Sequence, residues 1–183
     1  MRLTMAGSRG EGRRRILGSG AMIFASVGSM MPFDRMTRAI DEWAAAHPSV
    51  PVFLQIGDGA YEPKACEWKR MVSHGEYQRH LNACSLFVAH VGMGSILQAL
   101  EIGKPTLLMP RRASLREHTT DHQLDTAGKF RNRPGLLIVE EADDLKAAMT
   151  RLIEQPMEGP QGIAPHAPAE TIANIRSHLA RFA

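Results

Sequence analysis

Cysteine is scarce in this chain of 183 residues: there are two, Cys66 and Cys84, and both lie outside any C-x-x-C pattern. The sequence therefore predicts neither a disulfide framework nor a zinc site, and we expect two reduced thiols. No apolar run reaches the roughly 18 residues that a membrane-spanning helix needs, so we expect the chain to be soluble by itself. The formal net charge is only +3, and no basic patch interleaved with aromatic residues is present, so a nucleic-acid partner is not indicated.

The chain ends differ in composition from its middle. Residues 1–20 are rich in arginine and glycine but lack the apolar segment of a secretory signal. Three interpretations of the arginine run at 13–15 stay open: contact with anionic lipid or a partner, a disordered leader, or an upstream start codon. After one α/β domain over residues 21–154, we expect a Pro-rich linker at 155–168. An amphipathic helix at 169–183 follows, with Ile172, Ile175 and Leu179 at helical spacing.

Short apolar runs alternate with amphipathic segments along residues 21–154. The runs predict strands at residues 21–27, 52–56, 85–89, 105–109 and 136–139, with a short one near 70–73. Helices are predicted at residues 34–47, 76–83, 95–102, 119–130 and 142–153. The first helix has Asp34 as its expected N-cap and Met36, Ile40, Trp43 and Ala44 on its apolar face. This alternation predicts a doubly wound parallel sheet, which is a Rossmann-like α/β fold.

The most informative segment, residues 86–123, carries glycines and polar residues where strands are predicted to end. Gly92 and Gly94 lack a Cβ, so backbone N–H groups there can approach an anion at a helix N-terminus. The dinucleotide pattern G-x-G-x-x-G fails because Leu97 occupies its last glycine position, and no G-K-[ST] of a P-loop follows. We therefore expect an anionic ligand that is neither NAD nor ATP. His90 lies immediately before this loop and enters the predicted cleft.

Several separated motifs in order carry a family resemblance: AHVGMGS, QALEIGKP, MPR, EH and DHQ, with IFASVGS, PFDR and QIG upstream. They resemble the C-terminal, nucleotide-sugar-binding domain of family 28 glycosyltransferases. The resemblance is strongest to the short single-domain subunits of the Alg13, PssE and EpsF type, which are related to MurG. It runs from about residue 22 to about residue 153 and implies the C-terminal half of a GT-B fold.

The resemblance implies a binding site for a UDP-sugar donor. The residues that match the donor site are Gly28, Ser29, Gly92, Met93, Gly94, Ser95, Gln98, Arg111, Glu117, His122 and Gln123. Some have competing structural uses: Ser95 could cap the helix, Arg111 could pair with Glu117 rather than with a phosphate, and His122 could be helix surface. The catalytic residue is unassigned, with His90 and His122 as candidates.

One position departs from the family pattern. Family members place a glutamate in the helix after the glycine loop, where its carboxylate accepts both ribose hydroxyls; this chain has Gln98 there, and the nearest carboxylate is Glu101. An amide can still bond a hydroxyl but without the gain that an ionised acceptor provides. We expect this change to affect the affinity for the donor or the choice of nucleotide.

The function implied by the resemblance is that of a donor-binding subunit of an inverting glycosyltransferase that needs no metal and no cofactor. It would transfer a sugar from a UDP-sugar to a lipid-linked saccharide in exopolysaccharide or glycolipid synthesis. A membrane-anchored partner would supply the acceptor domain, which would place the subunit in the cytoplasm at the inner face of the membrane. Two alternatives stay open: a catalytically silent activator subunit, and a nucleotide-sugar epimerase of the same architecture.

Overall fold

The computed structural model describes residues 21–162 and 169–180, so the predicted leader at 1–20 lies outside the described residues. The strands are β1 (Ile23–Ser26), β2 (Val52–Gln55), β3 (Glu67–Lys69), β4 (Leu86–His90), β5 (Thr106–Met109) and β6 (Leu136–Ile138). The helices are α1 (Asp34–Ala46), α2 (His74–Ala83), α3 (Met93–Ile102), α4 (His122–Phe130), α5 (Ala142–Glu154) and α6 (Ala169–Leu179). A 3₁₀ turn, Ala113–Leu115, lies in the connection between β5 and α4.

The six strands form one parallel sheet in the order β3-β2-β1-β4-β5-β6. The predicted doubly wound α/β fold is thus confirmed. The direction of winding reverses between β1 and β4, where Ser26 is paired with Ala89. In open sheets of this kind, the carboxyl ends of the strands at the reversal diverge and leave a crevice for a ligand.

Helices cover both faces of the sheet and bury two separate apolar clusters. One cluster lies under α1 and α5, and it includes all four residues predicted for the apolar face of α1: Met36, Ile40, Trp43 and Ala44. The other lies under α2, α3 and α4 and includes Phe24, Phe87 and Leu108 from the strands. Because both sides of the central strands are covered, their side chains are apolar without alternation.

The edge strand, the N-cap of α1 and the starts of α2, α3 and α4 differ from the predictions. α2 begins at His74 rather than at residue 76, and α4 begins at His122 rather than at residue 119. The short strand occupies Glu67–Lys69 rather than residues near 70–73; it is an edge strand whose charged ends are exposed, so its sequence has little strand character. Phe33, not Asp34, is the N-cap of α1, and Asp34 instead accepts a hydrogen bond from Ala60 N at 3.2 Å. α3 begins at Met93, two residues earlier than predicted, with Gly92 as its N-cap.

The connection between β2 and β3 is fixed by a buried carboxylate on α1. Asp41 accepts hydrogen bonds from Lys64 N, from Ala65 N at 2.7 Å and from the Tyr61 hydroxyl at 2.8 Å. Burial raises the pKa of Asp41, but these hydrogen bonds outweigh it and hold the pKa below its usual range. The loop after β2 is thereby tied to α1, which places β3 at the sheet edge.

The first part of the predicted Pro-rich linker packs against the domain. Pro160 is buried, and Gly159 lies so close to Gly103 that a Cβ on Gly159 would be 1.7 Å from the Gly103 carbonyl oxygen. Residues 163–168 lie outside the described residues. In α6, Ile175 and Leu179 are exposed, and the helix buries none of its residues. Within the described ranges, no helix is long and apolar enough to cross a membrane.

Candidate functional site

A cavity of about 370 Å³ opens at the reversal point between β1 and β4. Its lining comes from the carboxyl ends of β1, β2 and β4, from the segment after β3, and from the first two turns of α2 and α3. The lining residues are Ser26, Gly28, Ser29, Met30, Gln55, Met71, Val72, His74, Tyr77, His90, Gly94, Ser95, Gln98 and Arg111. Seven of the twelve residues named as candidates from the sequence therefore meet at one cavity: Gly28, Ser29, His90, Gly94, Ser95, Gln98 and Arg111.

His90 forms the floor of the cavity and is held between two glycines. A Cβ on Gly92 would be 2.3 Å from His90 Nε2, and one on Gly28 would be 2.6 Å from His90 Cε1, so only glycine fits at either position. Gly28 also has a φ of +85°, which disfavours other residues. Burial, followed by the nearby cation of Arg111, lowers the pKa of His90 to about 4. The imidazole is therefore neutral at pH 7.

The start of α3 presents unpaired backbone donors to the cavity. Ile96 N is the first to bond within the helix, to Gly92 O at 3.0 Å, so the N–H groups of Met93, Gly94 and Ser95 precede the helical ladder. A Cβ on Gly94 would meet no atom within 4 Å, because the space beside it is open cavity. The side chain of Ser95 is turned inward, with its hydroxyl 3.4 Å from His90 Nδ1. This helix end is suited to binding an anion.

Arg111 brings a buried positive charge to the same cavity. It is 2% exposed, and its Nη2 donates to Val27 O at 2.7 Å and to Met31 O. Its Nε has no hydrogen-bond partner, and none of the described carboxylates is bonded to its guanidinium. Burial lowers the pKa of Arg111 to about 10, although the charge of nearby Glu117 opposes this shift, and Arg111 stays charged at pH 7. A buried cation that bonds no carboxylate is costly, so an anionic ligand would stabilise this arrangement.

Glu117 forms a salt bridge with Arg35 rather than with Arg111, the partner considered from the sequence. Arg35 Nε and Nη2 donate to the two carboxylate oxygens of Glu117 at 2.7 and 2.8 Å, and Arg112 N donates to the second. Arg35 also bonds the carbonyl oxygens of Pro110 and Glu140. The salt bridge between Arg111 and Glu117 that the sequence left open is therefore not formed. Glu117 lies outside the cavity lining and joins α1 to the segment after β5.

The remaining candidates lie around the cavity without lining it. Gln123 is 3% exposed, and its Oε1 accepts a hydrogen bond from Arg111 N at 3.0 Å. His122 is exposed, with Nδ1 2.8 Å from the Thr120 hydroxyl and its ring against His118 at 4.3 Å between centroids. Met93 is half-exposed at the first position of α3. Gly92 acts through His90, as described above.

Sequence reasoning missed the side of the cavity that lies near α2. Met71, Val72, His74 and Tyr77 line it there, and Gln55 connects it to β1 by donating to Gly28 O at 3.3 Å and accepting from Val72 N at 3.2 Å. Correct placement of β3 would have shown that residues 70–73 follow a strand and therefore lie at the carboxyl ends of the strands, where ligands bind. In the part of the chain that the structure describes, no three His, Cys, Asp or Glu side chains are grouped as a metal site requires.

Comparison with solved structures shows the same fold in a glycosyltransferase, in ALG13 and in a putative UDP-N-acetylglucosamine 2-epimerase. A putative UDP-N-acetylglucosamine 2-epimerase from Listeria monocytogenes superposes with a TM-score of 0.61 at 14% identity, over 89% of this chain and 46% of that one. The glycosyltransferase of kitacinnamycin gives 0.56 at 23% identity, over 82% and 40%. This chain thus spans less than half the length of either. ALG13 gives 0.52 at 14% identity, over 87% of this chain and 96% of that one.

Comparison with curated protein sequences gave no significant match. A family model does match, and it covers residues 22–176, which is most of the chain and includes every element that lines the cavity. The chain belongs to the family of the glycosyltransferase family 28 C-terminal domain.

Proposed function

We propose that the cavity binds a UDP-sugar as the glycosyl donor of a transferase. The observation that carries this proposal is the buried guanidinium of Arg111, whose Nε has no hydrogen-bond partner, beside the unpaired N–H groups of Gly94 and Ser95. Both features favour a ligand with negative charge at this point, and together they suit a diphosphate. Family membership and the fold shared with nucleotide-sugar enzymes support the same ligand class.

We assign the diphosphate, the ribose and the nucleobase of the donor to three regions of the cavity. We place the diphosphate at the N-terminus of α3, with Ser29 and Arg111 nearby, and the ribose against Gln98 in the second turn of that helix. The nucleobase would then lie toward Met71 and Val72, whose side chains provide an apolar surface. His90 is neutral and buried, so it serves as a hydrogen-bonding floor for this site rather than as a second cation.

We propose inverting transfer without a metal. In this mechanism the acceptor hydroxyl attacks the anomeric carbon in line with the bond to UDP, and the departing diphosphate gains negative charge. The N–H groups at the start of α3 and the guanidinium of Arg111 are positioned to stabilise that charge, as a divalent cation does in other transferases. The general base is assigned to the acceptor-binding half, because three groups that the structure buries at the cavity suit this role poorly. Burial lowers the pKa of His90 to about 4 and raises the pKa of Tyr77 to about 12, and Arg111 stays charged at pH 7.

We propose the acceptor side of the reaction from the family resemblance. We propose a lipid-linked saccharide acceptor, bound by a membrane-anchored protein that associates with this chain at the cytoplasmic face of the membrane. The similarity to ALG13, which this chain covers almost completely, supports a donor domain that works with a separate partner. Ile175 and Leu179 on α6 are exposed and form a candidate part of the contact with that partner.

A catalytically silent activator subunit is the second candidate. The observation that favours it is Gln98, whose neutral amide lines the cavity. A carboxylate at this position would bind the ribose hydroxyls more strongly. Titration calorimetry with UDP separates the two functions. The donor domain should bind UDP with one site per chain, whereas a silent activator should not.

Substitution at the glycine loop tests where the nucleotide binds. A Cβ at position 94 meets no atom within 4 Å, so Gly94→Val should fold, but its side chain should occupy cavity space and remove most of the UDP affinity. Gly128→Val in α4 is the matched control, because a Cβ there also meets nothing within 4 Å and the residue is outside the cavity lining. If folded Gly94→Val bound UDP as well as the Gly128→Val control, the diphosphate would not lie at this helix end.

Dependence on the acceptor half is tested by transfer assays. Positioning the acceptor hydroxyl contributes roughly 7–11 kcal/mol to lowering a barrier of this kind, so the chain alone should be nearly inactive. Adding the membrane-anchored protein should restore transfer to a lipid-linked saccharide. Ile175→Asp should keep UDP binding but reduce co-purification with that protein. Full-rate transfer by the chain alone would contradict the need for a partner.

A further inference from the structure

We propose that Gln123 and Arg111 act together as positioning residues that hold the loop between β1 and α1, residues 27–33, in place at the cavity. In this assignment Gln123 does not contact the ligand; it fixes Arg111, and Arg111 fixes the loop. The importance of the loop for a nucleotide rests on the proposed function, whereas the contacts that hold the loop are independent of it.

Gln123 lies in the first turn of α4 and is committed to the backbone of the neighbouring segment. Its Oε1 accepts a hydrogen bond from Arg111 N at 3.0 Å, and its side chain is almost wholly buried. Arg111 is the second residue after β5, beyond Met109, the last residue paired with β4. Without Gln123 the buried N–H of Arg111 would lose its partner, which would release the chain segment that carries the guanidinium.

The guanidinium of Arg111 holds both ends of the loop. Nη2 donates to the carbonyl oxygens of Val27 and Met31, which lie on either side of the three cavity-lining residues 28–30. The ring of Phe33, which is fully buried, lies 5.1 Å from the guanidinium carbon and restricts it further. The side chain of Arg111 thus fixes the distance between residues 27 and 31 from the far side of the cavity.

Phe33 anchors the end of the loop through its buried ring and through Thr37, which donates to Phe33 O. The other hydrogen bonds of the loop are confined to its first half. Gly28 N donates to the Ser26 hydroxyl at 3.2 Å, and Gln55 donates to Gly28 O at 3.3 Å. For Ser29, Met30 and Met31, the bond from Arg111 to Met31 O is the hydrogen bond that the structure provides among the described residues. Loss of Arg111 positioning should therefore release residues 29–31 first.

Backbone ¹⁵N relaxation of the protein without nucleotide tests this assignment directly. In the wild type, the held loop should have order parameters near about 0.85 at residues 29–31. Gln123→Met removes the acceptor for Arg111 N, so these order parameters should fall below about 0.6. Gln123→Glu keeps an acceptor oxygen at the same reach and should restore the wild-type order parameters. Arg111→Met removes the donor to both carbonyl groups and should behave like Gln123→Met. The order parameters of β4 should be unchanged in all three variants.

Nucleotide binding supplies the second readout. Gln123→Met should also bind UDP about tenfold more weakly, because the loop that lines the cavity is no longer held. Weaker UDP binding with unchanged loop order parameters would mean that Gln123 contacts the ligand directly, and it would overturn the proposal. A uniform fall in order parameters, including β4, would show a purely structural role and would overturn it too. If wild-type protein bound no UDP, the proposed function would fail, and the loop order parameters would still decide whether Gln123 and Arg111 hold the loop.

Discussion

Gly92→Ala changes the packing of His90 by a known amount. The added Cβ would lie 2.3 Å from His90 Nε2, whereas real Cβ contacts stay beyond about 3.0 Å, so the ring must move by about 0.7 Å. It cannot move freely, because the backbone of Gly28 lies against its other side. The φ of Gly92 is −103°, which alanine adopts easily, so backbone strain does not contribute.

The free-energy change follows from two opposing effects. Overpacking of this kind destabilises by about 1–3 kcal/mol, and replacing glycine by alanine returns about 0.4–1 kcal/mol through the unfolded chain. Gly94→Ala, two residues later, meets no atom within 4 Å and should keep only the stabilising effect. The two variants should therefore differ by about 2 kcal/mol in the free energy of unfolding.

Urea denaturation of the two variants measures this difference in free energy. In a thermal melt at this chain length, the same difference should correspond to roughly 4–8 °C in melting temperature. Gly92→Ala should be less stable than the wild type, and Gly94→Ala should be as stable or more stable. Equal stability of the two variants would show that His90 is not held by Gly92, and the described floor of the cavity would be wrong.

Three further predictions concern charge. Asp41→Ala removes the acceptor of two backbone N–H groups and the Tyr61 hydroxyl, and it should lower the free energy of unfolding by about 2–4 kcal/mol in denaturant titrations, with Asp41→Asn losing less. The lowered pKa of His90 means that the folded protein binds its proton less readily than the unfolded chain. The neutral imidazole of His90 therefore contributes stability above pH 6.5, and this contribution is lost as the pH falls towards about 4. Across that window, the free energy of unfolding of the wild type should fall by more than that of His90→Gln. Gln98→Glu should tighten UDP binding by about 1 kcal/mol in calorimetry if Gln98 contacts the ribose, and weaker binding would place the ribose elsewhere.

Local patterns in the sequence were sufficient where one segment determines its own structure. The apolar spacing of Met36, Ile40 and Trp43 predicts the buried face of α1, and Gly92 and Gly94 after an apolar run predict a strand followed by a loop and a helix. These features depend on neighbouring residues and on burial. The doubly wound parallel class of the sheet also follows, since strands and helices alternate along the chain.

The rest of the site depends on contacts between distant segments. Arg35 and Glu117 are 82 residues apart, and Arg111 reaches a carbonyl group 84 residues away. No local spacing encodes such pairs, so the sequence could not decide whether Arg111 would bind Glu117 or a phosphate. The edge strand β3 was misplaced for a different reason: its exposed charged residues lack the apolar character that marks a strand.

The most direct test of the account is an NMR titration of isotope-labelled protein with UDP. If the nucleotide binds at this cavity, UDP should cause saturable shift changes at the amides of Gly28, Gly94, Ser95 and Gln98, at the carboxyl ends of β1 and β4. Amides near Gly159, which lies beside Gly103 and Gly135 at the amino ends of β5 and β6, should not shift. An absence of saturable changes, or changes confined to the amino ends of the strands, would contradict nucleotide binding at this cavity.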